Sequence, residues 1–331
     1  MRRNVKKLVV ILLVLFLAGL AKLPFEQNLA AALRERGLIQ APLDLDTRDK
    51  LGQTTYAVAL GGLRSLVAAM RNLTAHTHFS NQEWFKLEEE YETITTLQPR
   101  VRYYWDAGSW HLAYNAYADY ADKPGVPEAR RRLAQKDFLA RGRRMLEKGV
   151  ENNPRDWRIH QALARLLTDP FKPNDLPAAA STFEAALALE DVPQQLRREY
   201  LYTLCRIPGR EQDAWNHARQ VFAVPGNRRY PTTQSIFFAL QSKFADPADH
   251  LPIEEIFGSR RKALRNLINY SRRKREGFPM DGVRETLSTL AEEFNLPDEH
   301  NPLTNPDWRG LPRSFLKEST PSPERGPTPG R

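Results

Sequence analysis

The segment YYWDAGSWHLAYNAYADY, residues 103–120, sets seven aromatic rings and one histidine in eighteen positions. Such a density suits a stacking site, a catalytic cleft or a packed interior. His76 and His78 in AHTHF stand two apart, which chelates a metal from a strand but points the rings about 160° apart on a helix. The context is the end of a helical pattern with no obvious carboxylate partner nearby, so no metal site is expected there. The run EEEYE supplies Glu88, Glu89, Glu90 and Glu92 as paired carboxylates, yet on an amphipathic helix such a run is ordinarily the solvated face. The sequence holds no G-x-S-x-G, H-E-x-x-H, Walker loop or G-x-G-x-x-G. The common nucleophile, zinc and phosphate scaffolds therefore lack their motifs, and neither catalysis nor a cofactor is expected.

A second grouping is electrostatic. GSRRKALRNLINYSRRKR, residues 258–275, carries Arg260, Arg261, Lys262, Arg265, Arg272, Arg273, Lys274 and Arg275, with no acid among them. Leu264, Leu267, Ile268 and Ser271 share one face of the helix it predicts. One reading is a terminal capping helix with a basic outer side. The other is a contact for anionic lipid headgroups or an acidic partner. Nucleic acid fits less well, because an exported domain would rarely meet it.

The elements that must position these groups are helical. From Gln53 to Arg275 apolar residues recur at three- and four-residue spacing, and no alternating β-branched run argues for a sheet. Proline and glycine stops fall at Pro99, at 124–127, at Pro154, at 170–175, and at Pro193, Gly209 and Pro225. Pro154 to Asp191 is 37 residues and Asp191 to Pro225 is 34, while Pro99 to Pro154 is 55, with room for an insertion around ADKPGVPEARRRLAQ. A small–large–small triad precedes two of the stops, Gly142, Leu146, Gly149 and then Ala179, Phe183, Ala186, and Ala214, Ala218 and Val221 hold the corresponding positions ahead of Pro225. Leu87, Tyr91 and Ile94 stand in the same place ahead of Pro99.

On this spacing and these triads the chain resembles the tetratricopeptide repeat family over roughly residues 53–244, with one more degenerate unit to Arg275. LGGLRSLVA, YETITTLQP and WHLAYN, behind an amino-terminal apolar run, also resemble exported proteins of planctomycete- and verrucomicrobia-type bacteria. The repeat resemblance implies an all-α solenoid of helical hairpins, each burying its remaining face against a neighbour. It implies a concave face lined by first-helix residues that holds a protein or peptide partner. His111 and Asn115, then Arg158, Gln161 and Arg165, are the positions that fall there. Within 103–120, Trp110, Tyr114 and Tyr117 then belong to packing, Ala107, Gly108 and Ala113 to close contacts, and His111 and Asn115 to the outward side.

The flanks complete the organisation. MRRNVKK carries four cations, and the fourteen apolar residues of LVVILLVLFLAGLA follow. Residues 1–25 read as a single-pass anchor, with a cleaved signal peptide as the alternative; both leave the bulk of the chain outside the cytoplasm. Residues 26–52 read as a short helix and linker, 53–275 as the repeat domain, and 276–296 as a further helix. Residues 297–331 hold eight prolines and read as a disordered tail. Cys205 is the only cysteine, so an intramolecular disulfide and a cysteine metal cluster are excluded, and its apolar context predicts a buried, inert thiol. The net charge of +9 favours anionic surroundings without naming one. The expected function is a membrane-tethered scaffold on the exported side. Two alternatives stand: a cytoplasmic-facing basic-helix protein contacting anionic lipid or nucleic acid, and an enzyme with its cleft between Tyr103 and Tyr120.

Overall fold

A computed structural model describes residues 63–301 continuously, together with 28–29, 31–32, 303–305 and 310–311, leaving out the side chain of Arg275. The hydrophobic segment 1–25 and almost all of 26–52 and of the proline-rich tail lie outside the described residues. Among the described residues every regular element is a helix, and none is long and apolar enough to cross a membrane. The chain is all-α. It divides into two compact units after Asn153, at one of the proline stops.

The first unit contains α1 (Arg64–Ser80), α2 (Trp84–Leu97), α3 (Arg102–Trp110) and α4 (Glu128–Asn152). Helix α3 runs on through a π-helical segment, His111–Ala116, and a last turn, Tyr117–Asp119. Helices α1 and α2 pack as one hairpin, and α3 with its π-helical extension packs on α4 as a second. The long interval before Pro154 is taken up by α4 itself, which runs 25 residues. The carbonyl of Pro99 accepts hydrogen bonds from Trp105 Nε1 (2.8 Å) and Asn153 Nδ2 (3.0 Å), tying the α2–α3 turn to the end of α4.

The second unit contains α5 (Trp157–Thr168), α6 (Leu176–Leu187), α7 (Gln194–Leu204), α8 (Glu211–Ala223), α9 (Pro231–Phe244), α10 (Ile253–Phe257), α11 (Arg260–Ser271) and α12 (Val283–Glu293). Consecutive helices α5 to α9 pack pairwise, and α9 also carries α10 and α11. Nine consecutive residues of α9, 233–241, are buried, so this helix is the axis of the unit. Side-chain caps start three of the helices: Asp156 accepts from Arg158 N, Asp175 from Ala178 N and Ser259 from Lys262 N. Each such cap stabilises its helix by about 1 kcal/mol. Cys205 is buried as expected, and burial pushes its thiol far above the usual range, which disfavours the reactive thiolate.

Every triad position is buried: Leu87, Tyr91 and Ile94 on α2, Gly142, Leu146 and Gly149 on α4, Ala179, Phe183 and Ala186 on α6, Ala214, Ala218 and Val221 on α8. The tightest approach is at Gly142. A Cβ there would stand 2.6 Å from Ala113 Cβ, 2.9 Å from Ala113 N and 3.0 Å from the Ser109 carbonyl oxygen. Two of those three atoms are backbone and cannot swing away. Gly142→Ala is therefore expected to destabilise the protein by about 1–3 kcal/mol, the usual range for overpacking. Gly226→Ala, where a Cβ meets nothing within 4 Å, should stay within about 0.5 kcal/mol of the parent. Paired thermal melts of the two variants check this.

Candidate functional site

The expected partner positions fall in different surroundings. His111 does not face outward. Its ring stands 4.7 Å from that of Phe79 on α1 and 5.7 Å from that of Tyr91 on α2, and Asn115 Nδ2 lies 3.1 Å from its Nδ1. It is a packing contact between the first helices α1 and α3. The rings around it behave oppositely: Trp110 is 54% exposed and stacks on Tyr114, with centroids 4.3 Å apart. The buried stripe of this segment is instead Trp105, Gly108, Ser109, Leu112, Ala113 and Ala116. The reason is the close crossing at Gly142. Small residues must line it, so Trp110 is displaced to the outside.

On α5 the surroundings are more open. Arg158 and Arg165 are exposed and Gln161 is half-buried, three residues on one outer stripe. Gln161 Nε2 donates to Glu199 Oε2 on α7 (3.0 Å), and Arg165 Nη2 donates to Glu199 Oε1 (2.6 Å). Gln195 Nε2 adds a third donor to that carboxylate (2.8 Å). Glu199 thus joins α5 and α7. Local sequence gave no sign of it, because its two partners on α5 lie 34 and 38 residues away. Arg158 stands apart from this hub, over the Trp157 ring at 4.5 Å.

Beside the hub lies a cavity of about 250 Å³ lined by Arg165, Glu199, Tyr202, Arg206, Arg273 and Phe278, among others. Pockets that enclose small molecules usually begin near 300 Å³, so this one suits a single protruding side chain of a partner. Its floor is fixed: Tyr202 Oη bonds Thr233 Oγ1 (2.7 Å), and Arg206 Nε donates to the Glu276 carbonyl (2.8 Å). Burial raises the Tyr202 phenol and lowers the Arg206 guanidinium from their ordinary values. Its rim is adjustable. The Arg165–Glu199 pair has side chains 50% and 20% exposed, and such pairs contribute only about 0.2–1 kcal/mol. The pair can therefore open at little cost to the fold.

The basic segment is less positive than its sequence. Leu264, Leu267 and Ile268 are buried as expected, but α12 packs on α11, so this helix does not end the stack. Arg260 is bound by Glu293 and Glu254, and Arg273 by Glu276 while lying 4.3 Å from the Phe278 centroid. Arg261 lies over Phe294. Lys262 and Arg265 are half-buried, whereas Arg272 and Lys274 are exposed. His78, which lacked an evident acid, pairs with Glu83 at 2.6 Å just beyond its helix, while His76 stacks near Phe79. Among the described residues no group of three or more metal-ligating side chains comes together. Of residues 103–120, Trp105 alone lines either of the two cavities described.

Compared with models of protein families, with characterised proteins and with solved structures, the chain gives no match.

Burial lowers the pKa of His111, with His76 adding a like-charge effect, and burial likewise lowers that of His217 on α8. Both rings are neutral in the folded and unfolded chains above about pH 6.5. As pH falls below that value the unfolded chain takes up protons first, so stability declines until the folded-state values are reached. His111→Gln should remove part of this decline. The check is denaturant unfolding of parent and variant at about pH 7 and about pH 5, with the variant expected to lose less stability between them.

Proposed function

We propose that the protein is a non-catalytic scaffold that holds a protein or peptide partner on the first-helix side of its hairpins. The observation that carries this reading is the convergence of Gln161, Arg165 and Gln195 on Glu199, beside a cavity sized for one side chain. Interfaces of this kind use a few anchoring pockets, with polar contacts around them. The hairpin pairing and the four buried triads support a tetratricopeptide-like solenoid as the finer architecture. The outer face of α1 supports it too: Leu63, Leu66, Met70 and Leu73 are exposed at helical spacing, the apolar surface that a preceding repeat would cover. In this reading residues 1–25 tether the scaffold, and the helical units work on the exported side. Anionic lipid near Arg272 and Lys274 is a secondary contact.

Photo-crosslinking residues placed at Gln161 and at Ser181, an exposed position on the second helix α6, test the binding face. In native membranes Gln161 should yield a discrete adduct that Glu199→Ala diminishes, while Ser181 yields none. Equal labelling at both positions would contradict the proposal. A phosphatase reporter fused after residue 331 tests the topology, with activity expected only outside the cytoplasm.

A further inference from the structure

The first unit's cavity, about 550 Å³ and lined chiefly by α2 and α4, carries charges of both signs that meet within the chain: Arg141 binds Glu88 at 2.6 Å and Arg71 binds Glu90 at 3.0 Å. The second unit holds two cations without such a match. Arg198 on α7 is only 9% exposed. A guanidinium keeps its charge when buried and is then ordinarily paired with a carboxylate. Here its one hydrogen bond goes to a neutral group, from Nη1 to Asn227 Oδ1 (2.6 Å) in the turn before α9. Its carbon lies 3.7 Å from the centroid of the Tyr230 ring, a cation–π contact. Both partners are themselves held. Asn227 is buried and its Nδ2 donates to Gln194 Oε1 (3.1 Å) and to the Val221 carbonyl (2.9 Å), while Tyr230 stands immediately before Pro231, the first residue of α9. These contacts orient the guanidinium without neutralising it.

The same ring carries a second guanidinium. Arg229 is exposed, its carbon lies 5.2 Å from the Tyr230 centroid, and its Nη2 donates to Tyr230 Oη (3.2 Å). Among the described residues no carboxylate pairs with Arg198 or Arg229. Glu199, next in sequence to Arg198, is taken up by Gln161, Arg165 and Gln195 instead. Arg198 Nε and Nη2 form no hydrogen bond, yet neither is sealed from solvent, as Arg131 Nε is. These two nitrogens lie along one edge of the guanidinium and form the fork that takes both oxygens of a carboxylate.

We propose that Arg198 and Arg229, gathered on Tyr230, bind an acidic segment of the peptide partner, with one side-chain carboxylate on the Arg198 fork and a neighbouring one at Arg229. The proposal rests on the reading of the protein as a peptide-binding scaffold and names the charge its partner carries. A guanidinium already fixed by Asn227 and Tyr230 loses little freedom on binding, and its partial exclusion from water strengthens the bond it makes. An apolar partner would cover Arg198 and leave it without an anion, and a basic one would meet two like charges.

The test measures binding of a fluorescent, end-blocked tetraglutamate to the full-length protein, with end-blocked tetraglutamine as the neutral match. Tetraglutamate should bind saturably, one per chain, and at least tenfold more tightly than tetraglutamine. Arg198→Lys, which keeps the charge and removes the fork, should weaken binding at least fivefold. Arg229→Gln should do the same, and because it alters an exposed position it does not depend on a buried site tolerating change. Arg219→Gln, which removes an exposed cation on α8 at the same change in net charge, should leave the affinity within twofold. Equal binding of the two peptides, an equal loss in Arg219→Gln, or no loss in Arg198→Lys or Arg229→Gln would overturn the proposal. So would displacement of tetraglutamate by an equal concentration of inorganic phosphate. The photo-crosslink from Gln161 separates the two readings: an adduct in native membranes without tetraglutamate binding overturns the acidic assignment alone, whereas absence of any adduct overturns the scaffold.

Discussion

The close crossing of α3 and α4 is the constraint from which much of the first unit follows. Gly142 brings α4 against the backbone of Ser109 and Ala113, a distance no larger residue permits. That approach requires Gly108, Ser109, Ala113 and Ala116 on the inside of the aromatic segment, and it places Trp110 outside, stacked on Tyr114. It also turns His111 towards Phe79 and Tyr91, making it a contact between first helices. The second unit obeys the same logic with Ala179 and Ala186 flanking Phe183, and Ala214 and Ala218 preceding Val221. Small residues admit the neighbouring helix and the large residue fills the remaining space.

With the triads of α6 and α8 committed to packing, α5 and α7 carry polar positions that face outward. Those on α5 and α7 meet through one carboxylate, Glu199, whose donors are partly exposed and weakly held. A rigid floor with an adjustable rim is suited to recognition. The floor comes from Tyr202 and Arg206, fixed by Thr233 on the central helix α9 and by the Glu276 carbonyl. The cavity of the first unit is built differently, with acidic residues of α2 and basic residues of α4 on its walls.

The helices and their buried triads were legible in the sequence because periodicity and residue size are local properties. The orientation of the aromatic segment was not. Ring count suggested a packed aromatic face, whereas the inside is set by Gly142, about thirty residues further on. The π-helical stretch His111–Ala116 compounds the error, since it shifts the angular register on which 3.6-residue spacing depends. The basic segment misled for a related reason. Its neutralising acids, Glu254 and Glu293, lie outside it in the chain, and only folding brings them to Arg260. Glu90 is the converse case: an acidic run looks solvated until the neighbouring helices cover one of its members.

The central claim is that α5 and α7 lie side by side, joined through Glu199. Thiol-to-thiol crosslinking with a short bismaleimide tests it most directly, in a Cys205→Ser background so that the native thiol does not compete. Arg165→Cys with Glu199→Cys should link within one chain at high yield, while Arg165→Cys with Ser181→Cys should not. Efficient linkage of the second pair and none of the first would contradict the account.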